Sequence, residues 1–384
     1  MSQPRNNPYL SNVSKNYLLQ TFKADETVSL NRINDTLEKI WDCGRNTVIG
    51  WAHDSNHVDI CYAPVDTAVN GYRRFPRIFQ GNRLFSSKTF NAICSGLDIP
   101  QIRIKLSGTI GIARYNIHVN TINNLIKRYC ITYTDNRAVI LFDIVKFSLK
   151  SPTEQLCQLK TLEYYIDKTS SIMANNDMPV DLHRSTTGDG YYIWNNNVGH
   201  EHNIRTYIVL AIMLTLNAVN ESRIPLRSAF AIGSHFTYHH VDTLPRGIEY
   251  IVGDVTIKLS RIVNSCTEDQ LLIGYQADDK VNIIEFMSSC QEHIDGMSRL
   301  HIYTKSVIDI RTYLTGYKSG NGFEVQQYCI TDKHGLSHPV CNVKLNVYFY
   351  GNESVRIGKM TQELYGLSHL TPVSWLRQTG GSNR

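Results

Sequence analysis

The chain has no apolar stretch long enough to cross a bilayer, which takes about 20 helical residues. Its longest such run, Tyr207 to Leu216, is closed off by Arg205 and Asn217. It has no Cys-x-x-Cys pair, and its nine cysteines are scattered and odd in number. That spacing argues against both a disulfide framework and a cysteine-based zinc site, and a reducing, cytoplasmic setting is expected. No apolar signal-peptide core follows Met1-Ser-Gln-Pro-Arg. Charge is sparse too: 19% of residues against 42% hydrophobic, the balance of an ordinary soluble globular protein.

What charge there is sits unevenly. Residues 1–134 hold 16 Lys and Arg against 9 Asp and Glu, a balance of +7, so the remainder must carry −2 of the overall +5. The first third is therefore a chemically distinct module, and 384 residues are enough for two or three domains. Residues 1–27, polar and without a period, read as a flexible arm. From Ser29 to about Cys43, Leu30, Ile33, Leu37, Ile40 and Trp41 fall at helical spacing. Residues 47–63 and 100–119 look strand-rich, and Ile117 to Tyr129 reads as a helix. Between them, Tyr72 to Phe85 interleaves arginines with aromatics. Such a stretch suits phosphates and bases, but it better suits a loop anchored by its rings with its arginines in water, and a protein interface is a third reading. No stable nucleic-acid partner is predicted from it.

Two later stretches carry the chemistry. Arg137-Ala-Val-Ile-Leu-Phe-Asp143 is an apolar strand ending in a carboxylate, and Thr187-Gly-Asp189-Gly-Tyr is a tight turn leading into a second strand. Two carboxylates on adjacent strand ends suit divalent metal held against a nucleoside triphosphate. Ser151-Pro-Thr-Glu154 has the form of a capping box with proline at the first helical position. The amides of that helix start, and of the turn from Ile144 to Ser148, can meet phosphate oxygens. Asn203 to Val219 reads as a helix and Leu226 to Gly233 as a strand. A polar loop follows, with His235, His239 and His240 read as solvated. Ile248 to Asn264 reads as a turn and helix, and Leu271 to Gly274 as a further strand. Strand–helix–hairpin–helix–strand–helix–strand is a ferredoxin-like α+β order.

Over roughly 138–275 these motifs resemble class III nucleotidyl cyclases. The match rests on Asp143 in Leu-Phe-Asp-Ile-Val-Lys-Phe-Ser, on Asp189 in Thr-Gly-Asp-Gly-Tyr, and on Gly253 followed eight residues later by Arg261. The resemblance implies an α+β, ferredoxin-like catalytic domain over 136–290. An α/β N-terminal basic regulatory region over 28–135 and a small β-rich domain over 298–384 would flank it. It further implies that Asp143, Asp189 and the carbonyl of Ile144 hold two Mn²⁺ or Mg²⁺ ions. Such paired ions sit about 3.5–4 Å apart and clamp the attacking and leaving oxygens of an in-line displacement. Lys146, Phe147 and Ser148 would cradle the phosphates, and Arg261 would stabilise the transition state. The family shares each site across a head-to-tail homodimer, with the aspartates from one subunit and Arg261 from the other.

The base pocket departs from the family pattern. Where the family reads a purine with lysine or glutamate, this chain has Ser185, preceded by Arg184; the second base-reading position is Tyr250. A tyrosine there narrows the pocket, which favours a pyrimidine, and Arg184 as a donor to uracil O4 tips the balance slightly toward UTP over CTP. Ile257 replaces the asparagine usual four residues before the arginine. The C-terminal stretches Tyr317 to Phe323, Asp332-Lys-His-Gly and Asn342 to Phe349 are similar to the AGS-C sensor domain of some bacterial signalling enzymes. Together the resemblances imply a Pycsar-type pyrimidine cyclase acting in anti-phage defence. Its 3′,5′-cyclic product would be read by a separate cyclic-nucleotide-gated effector, with no membrane partner for the cyclase itself. An adenylate or guanylate cyclase with an unusual base pocket, a nucleotide-binding sensor without turnover, and a nucleic-acid-binding protein remain open alternatives.

Overall fold

Ala138 to Ile144 is apolar at almost every position, the pattern of a strand covered on both faces. In the computed structural model of the chain it forms the buried half of β4 (Ile131–Ile144). The structure describes residues 24–54, 56–72, 83–106, 115–239, 249–275, 280–297, 300–302, 305–315, 318–319, 322–359 and 370–377. Residues 1–23 of the expected arm, the central part of the arginine–aromatic stretch and His240 lie outside them, whereas residues 24–27 of that arm already belong to a helix, Ala24–Trp41. The chain divides into two units, residues 1–134 with 236–251, and residues 135–235 with 252–384.

The first unit contains α1 (Ala24–Trp41), β1 (Asn46–His53), β2 (His57–Pro64), α2 (Val65–Tyr72), α3 (Ser87–Leu97), β3 (Gln101–Lys105) and α4 (Tyr115–Lys127). β1, β2 and β3 form an antiparallel sheet. Leu30, Ile33, Leu37 and Ile40 of α1 pack with Trp51, Ile60, Ile122 and Ile126 in its core. Among the described residues of the strand-rich stretch expected over 100–119, only Gln101–Lys105 is strand, and a helix begins at Tyr115. Arg83, from the arginine–aromatic stretch, neither faces water nor is free for phosphate. It is 1% exposed and donates to the carbonyls of Ile49 and Ile131, at 3.4 and 2.7 Å.

The second unit is built on β4 and continues through α5 (Pro152–Ala174), β5 (Leu182–Thr186), β6 (Gly190–Asn195), α6 (His200–Val219), β7 (Leu226–His239), the short β8 (Glu249–Val252), α7 (Asp254–Asn264), β9 (Leu271–Gly274) and α8 (Lys280–Asp295). The strands run β9-β7-β4-β6-β5, antiparallel in β4–β6 and β6–β5 and parallel in β7–β9. This is an α+β fold with ferredoxin-like strand order. Both halves of the capping box at Ser151 form: its Oγ accepts the Glu154 amide, and Glu154 accepts the Ser151 amide at 2.9 Å. The apolar run in α6 is buried on nearly every side, as a helix apolar all round must be. No described helix is long and apolar enough to cross a membrane, and all nine cysteines are free.

Two expectations change. His235 and His239 are not loop residues: β7 runs on to His239, and His235 is 1% exposed with Arg137 at 3.3 Å. The alternation His235-Phe-Thr-Tyr has the period of a strand, which the polar residues mask. Nor does a separate sheet begin near residue 298. β10 (Leu300–Ile302), β11 (Lys305–Leu314), β12 (Lys318–Ser319), β13 (Gly322–Thr331), β14 (Ser337–Phe349), β15 (Ser354–Ile357) and β16 (Thr371–Arg377) extend the sheet of β4. The seam is β14 against β9, with Val340 opposite Gly274 and Val343 opposite Leu271.

Candidate active site

The hairpin β5–β6 places the second carboxylate beside the first. Asp143 is paired with Gly190 across β4 and β6, and the Ile144 amide donates to the carbonyl of Asp189 at 2.9 Å. Gly190 allows this closeness: a Cβ there would lie 1.9 Å from the carbonyl oxygen of Phe142 and 3.1 Å from Cα of Asp143. Asp189 itself is braced by the Thr187 hydroxyl, which donates to its Oδ1 at 3.2 Å.

Side chains alternate across a strand. Ile140, Phe142, Ile144, Tyr191 and Ile193 belong to the core. Asp143 therefore lies on the opposite face, together with Ser185, which is paired with Tyr192. Arg184 does not share that face. It points to α5, 3.5 Å from Glu163 and 3.9 Å from Asp167. The expectation that Arg184 and Ser185 both read a base is corrected here, because neighbours on a strand face opposite ways. Tyr250 belongs to the other unit, where its ring stacks on Tyr238 at 5.3 Å.

Asp143 is 8% exposed. Burial pushes its carboxyl above the ordinary range, the guanidinium of Arg227 pulls it back, and the negative charge of Asp189 adds to the rise. Sequence reasoning missed Arg227. It opens β7, the strand beside β4, and donates from Nε to Asp143 Oδ2 at 2.7 Å; its terminal nitrogen reaches the same oxygen. The signal was a charged residue next to the apolar start of a buried strand, Leu226-Arg-Ser-Ala. Oδ1 of Asp143 takes no donor among the described residues.

That open oxygen, Asp189 and the Ile144 carbonyl are hard oxygen donors, the type Mg²⁺ and Mn²⁺ take. No group of three or more His, Cys, Asp and Glu side chains that could hold a metal ion forms among the described residues. An ion here would complete its shell with substrate phosphates, which is how Mg²⁺ is commonly held. The donor set fits. Lys146 adopts left-handed backbone (φ 56°), and Phe147–Leu149 makes one tight turn closed by the Leu149 and Lys150 amides. The amides of Lys146, Phe147 and Ser148 thus stand at its open N-terminal end.

Arg261 lies in the last turn of α7. The helix starts at Gly253, where φ is 148° and a Cβ would lie 2.8 Å from Cα of His235, so glycine seats the helix against β7. Ile257 is 54% exposed. Arg261 is joined to Asp332, which the sequence kept in a separate domain.

No known family profile matches the sequence, and no curated protein does. Solved structures similar to the chain include the guanylate cyclase domain of RhGC from Catenaria anguillulae in complex with GTP. It is 13% identical, covering 55% of this chain and 97% of that one, with a TM-score of 0.35. The adenylyl cyclase CyaB from P. aeruginosa is similar at 11% identity, covering 56% and 95%, with a TM-score of 0.32. Likenesses this distant carry no functional weight, so the chain's own residues must.

Two outcomes follow from the geometry. Gly190→Ala forces β6 off β4 and should cost roughly 3 kcal/mol of stability, read by denaturant unfolding. Arg227→Ala removes the cation that holds the Asp143 carboxyl down, so that carboxyl titrates higher still. A group whose folded pKa is raised costs stability above that pKa and nothing once protonated. The variant should therefore be about 2 kcal/mol less stable at pH 7, with a deficit that shrinks as pH falls through the Asp143 titration.

Proposed function

We propose that the protein is a metal-dependent nucleotidyl cyclase. It would convert a pyrimidine nucleoside triphosphate to the 3′,5′-cyclic monophosphate and pyrophosphate. The observation that carries this reading is the pairing of Asp143 with Gly190 across β4 and β6, which sets Asp189 beside Asp143, with one Asp143 oxygen free of donors among the described residues. Bound divalent ions would neutralise the triphosphate and acidify the ribose 3′-hydroxyl. The chain's own part is to hold and orient. Asp143, Asp189 and the Ile144 carbonyl supply the oxygen ligands; the turn of Lys146, Phe147 and Ser148 meets the phosphates. Arg261, permanently charged and forked, would meet the charge that develops at the α-phosphorus. The protein would act as a homodimer in which the aspartates of one subunit face Arg261 of the other.

Ser185 and Tyr250 in place of a purine-reading pair support the pyrimidine assignment. Arg184 no longer separates UTP from CTP, because the acids of α5 hold it on the other face. A role in anti-phage defence, in the cytoplasm and through a separate effector that senses the product, rests on the resemblance of residues 317–349.

The purified protein, given each of the four NTPs with Mn²⁺, should form a cyclic pyrimidine nucleotide. Asp143→Ala and Asp189→Ala should each lower the rate at least about 100-fold while circular dichroism stays unchanged. Conversion of ATP or GTP alone overturns the pyrimidine claim. No product with any NTP supports a nucleotide-binding sensor, for which exposed Ile257 speaks.

A further inference from the structure

Asp332 opens the turn between β13 and β14, and its carboxylate is fully engaged. Oδ1 accepts the amides of His334 and Leu336, at 2.8 and 3.0 Å. Oδ2 accepts Nε2 of His338 at 3.1 Å and lies 3.4 Å from Nε of Arg261. The Asp332 side chain is 4% exposed and that of Arg261 26%. Burial works to raise the Asp332 carboxyl, but His338 and the two amides outweigh it and hold it down at about 2. It is an anion at neutral pH.

The geometry on the arginine side is one-sided. Nε of Arg261 is buried and makes no hydrogen bond among the described residues, so its approach to Asp332 is an ion pair. A guanidinium carries five N–H donors in a rigid fork. Drawing in the Nε edge leaves the two terminal amino groups for an anion arriving from outside. The turn fixes Oδ1, which in turn fixes where Oδ2 points.

We propose that Asp332, clamped by its own turn and by His338, is a positioning residue for Arg261, aiming the guanidinium fork at the reacting phosphate and tying the C-terminal strands to turnover. The proposal rests on the cyclase reading. Residues that orient a working group from behind commonly matter 10–100-fold, as outer-shell partners of metal ligands do.

Asp332→Asn is the informative variant. It keeps an oxygen for the two turn amides and removes the charge. Its kcat should fall about 10–100-fold, with KM and melting temperature unchanged. In an Arg261→Ala background the same substitution should change kcat less than about 2-fold, because contacting residues that act as one unit are non-additive. An equal loss in both backgrounds, or no loss in the parent, overturns the proposal. The ion pair also has a readout independent of turnover. The Arg261 Nε–H resonance, identified as the one lost in Arg261→Lys, should shift in Asp332→Asn. An unchanged resonance overturns the proposal whatever the activity. A shifted resonance in a protein that makes no cyclic product overturns the cyclase reading instead.

Discussion

Two carboxylates held side by side repel each other, and the second unit is arranged around tolerating that. Gly190 lets β6 close on the Phe142 carbonyl, which brings the backbones of Asp143 and Asp189 together. Desolvation and mutual repulsion both push the Asp143 proton on, and Arg227 from the adjacent strand opposes them. Arg227 spends both its contacts on one oxygen, so the other takes no donor among the described residues. A site that stores one cation against its anions and leaves an oxygen free is poised for a second, harder cation. The proposed chemistry, divalent metal with triphosphate, would use that oxygen.

The same sheet carries this constraint outward. β7 supplies Arg227 at its start and the backbone against which Gly253 seats α7. α7 supplies Arg261, and β9 continues the sheet to β14, whose preceding turn holds Asp332. The C-terminal strands thus share the sheet of Asp143 and hold Arg261 through Asp332. A change in the turn of Asp332 reaches Arg261 through a single ion pair.

Local features were legible in the sequence, and pairings distant along the chain were not. The capping box at Ser151, the helical period of α1 and the strand of Asp143 follow from short-range spacing, and the structure has each. The nearness of Asp143 and Asp189 follows from hairpin order, which sequence can supply. Arg227 could not be found that way, since its contact depends on which strand lies beside β4. The Asp332–Arg261 pair depends likewise on β14 joining β9, and strand alternation says which face is buried but not against what. Arg184 was within reach of the sequence. Period-two alternation already puts it opposite Ser185, against a shared base-reading role for the two. His235 was misplaced because polar residues hid a strand that continues through them.

The account assigns the aspartates and Arg261 of one working site to different subunits, and mixing inactive variants tests that directly. Asp143→Ala and Arg261→Ala proteins, each strongly impaired alone, are mixed and allowed to exchange subunits. Half of the dimers then carry one intact site, so about a quarter of the parental rate of cyclic pyrimidine nucleotide formation should return. A mixture that stays as inactive as its components, with exchange verified, contradicts the account.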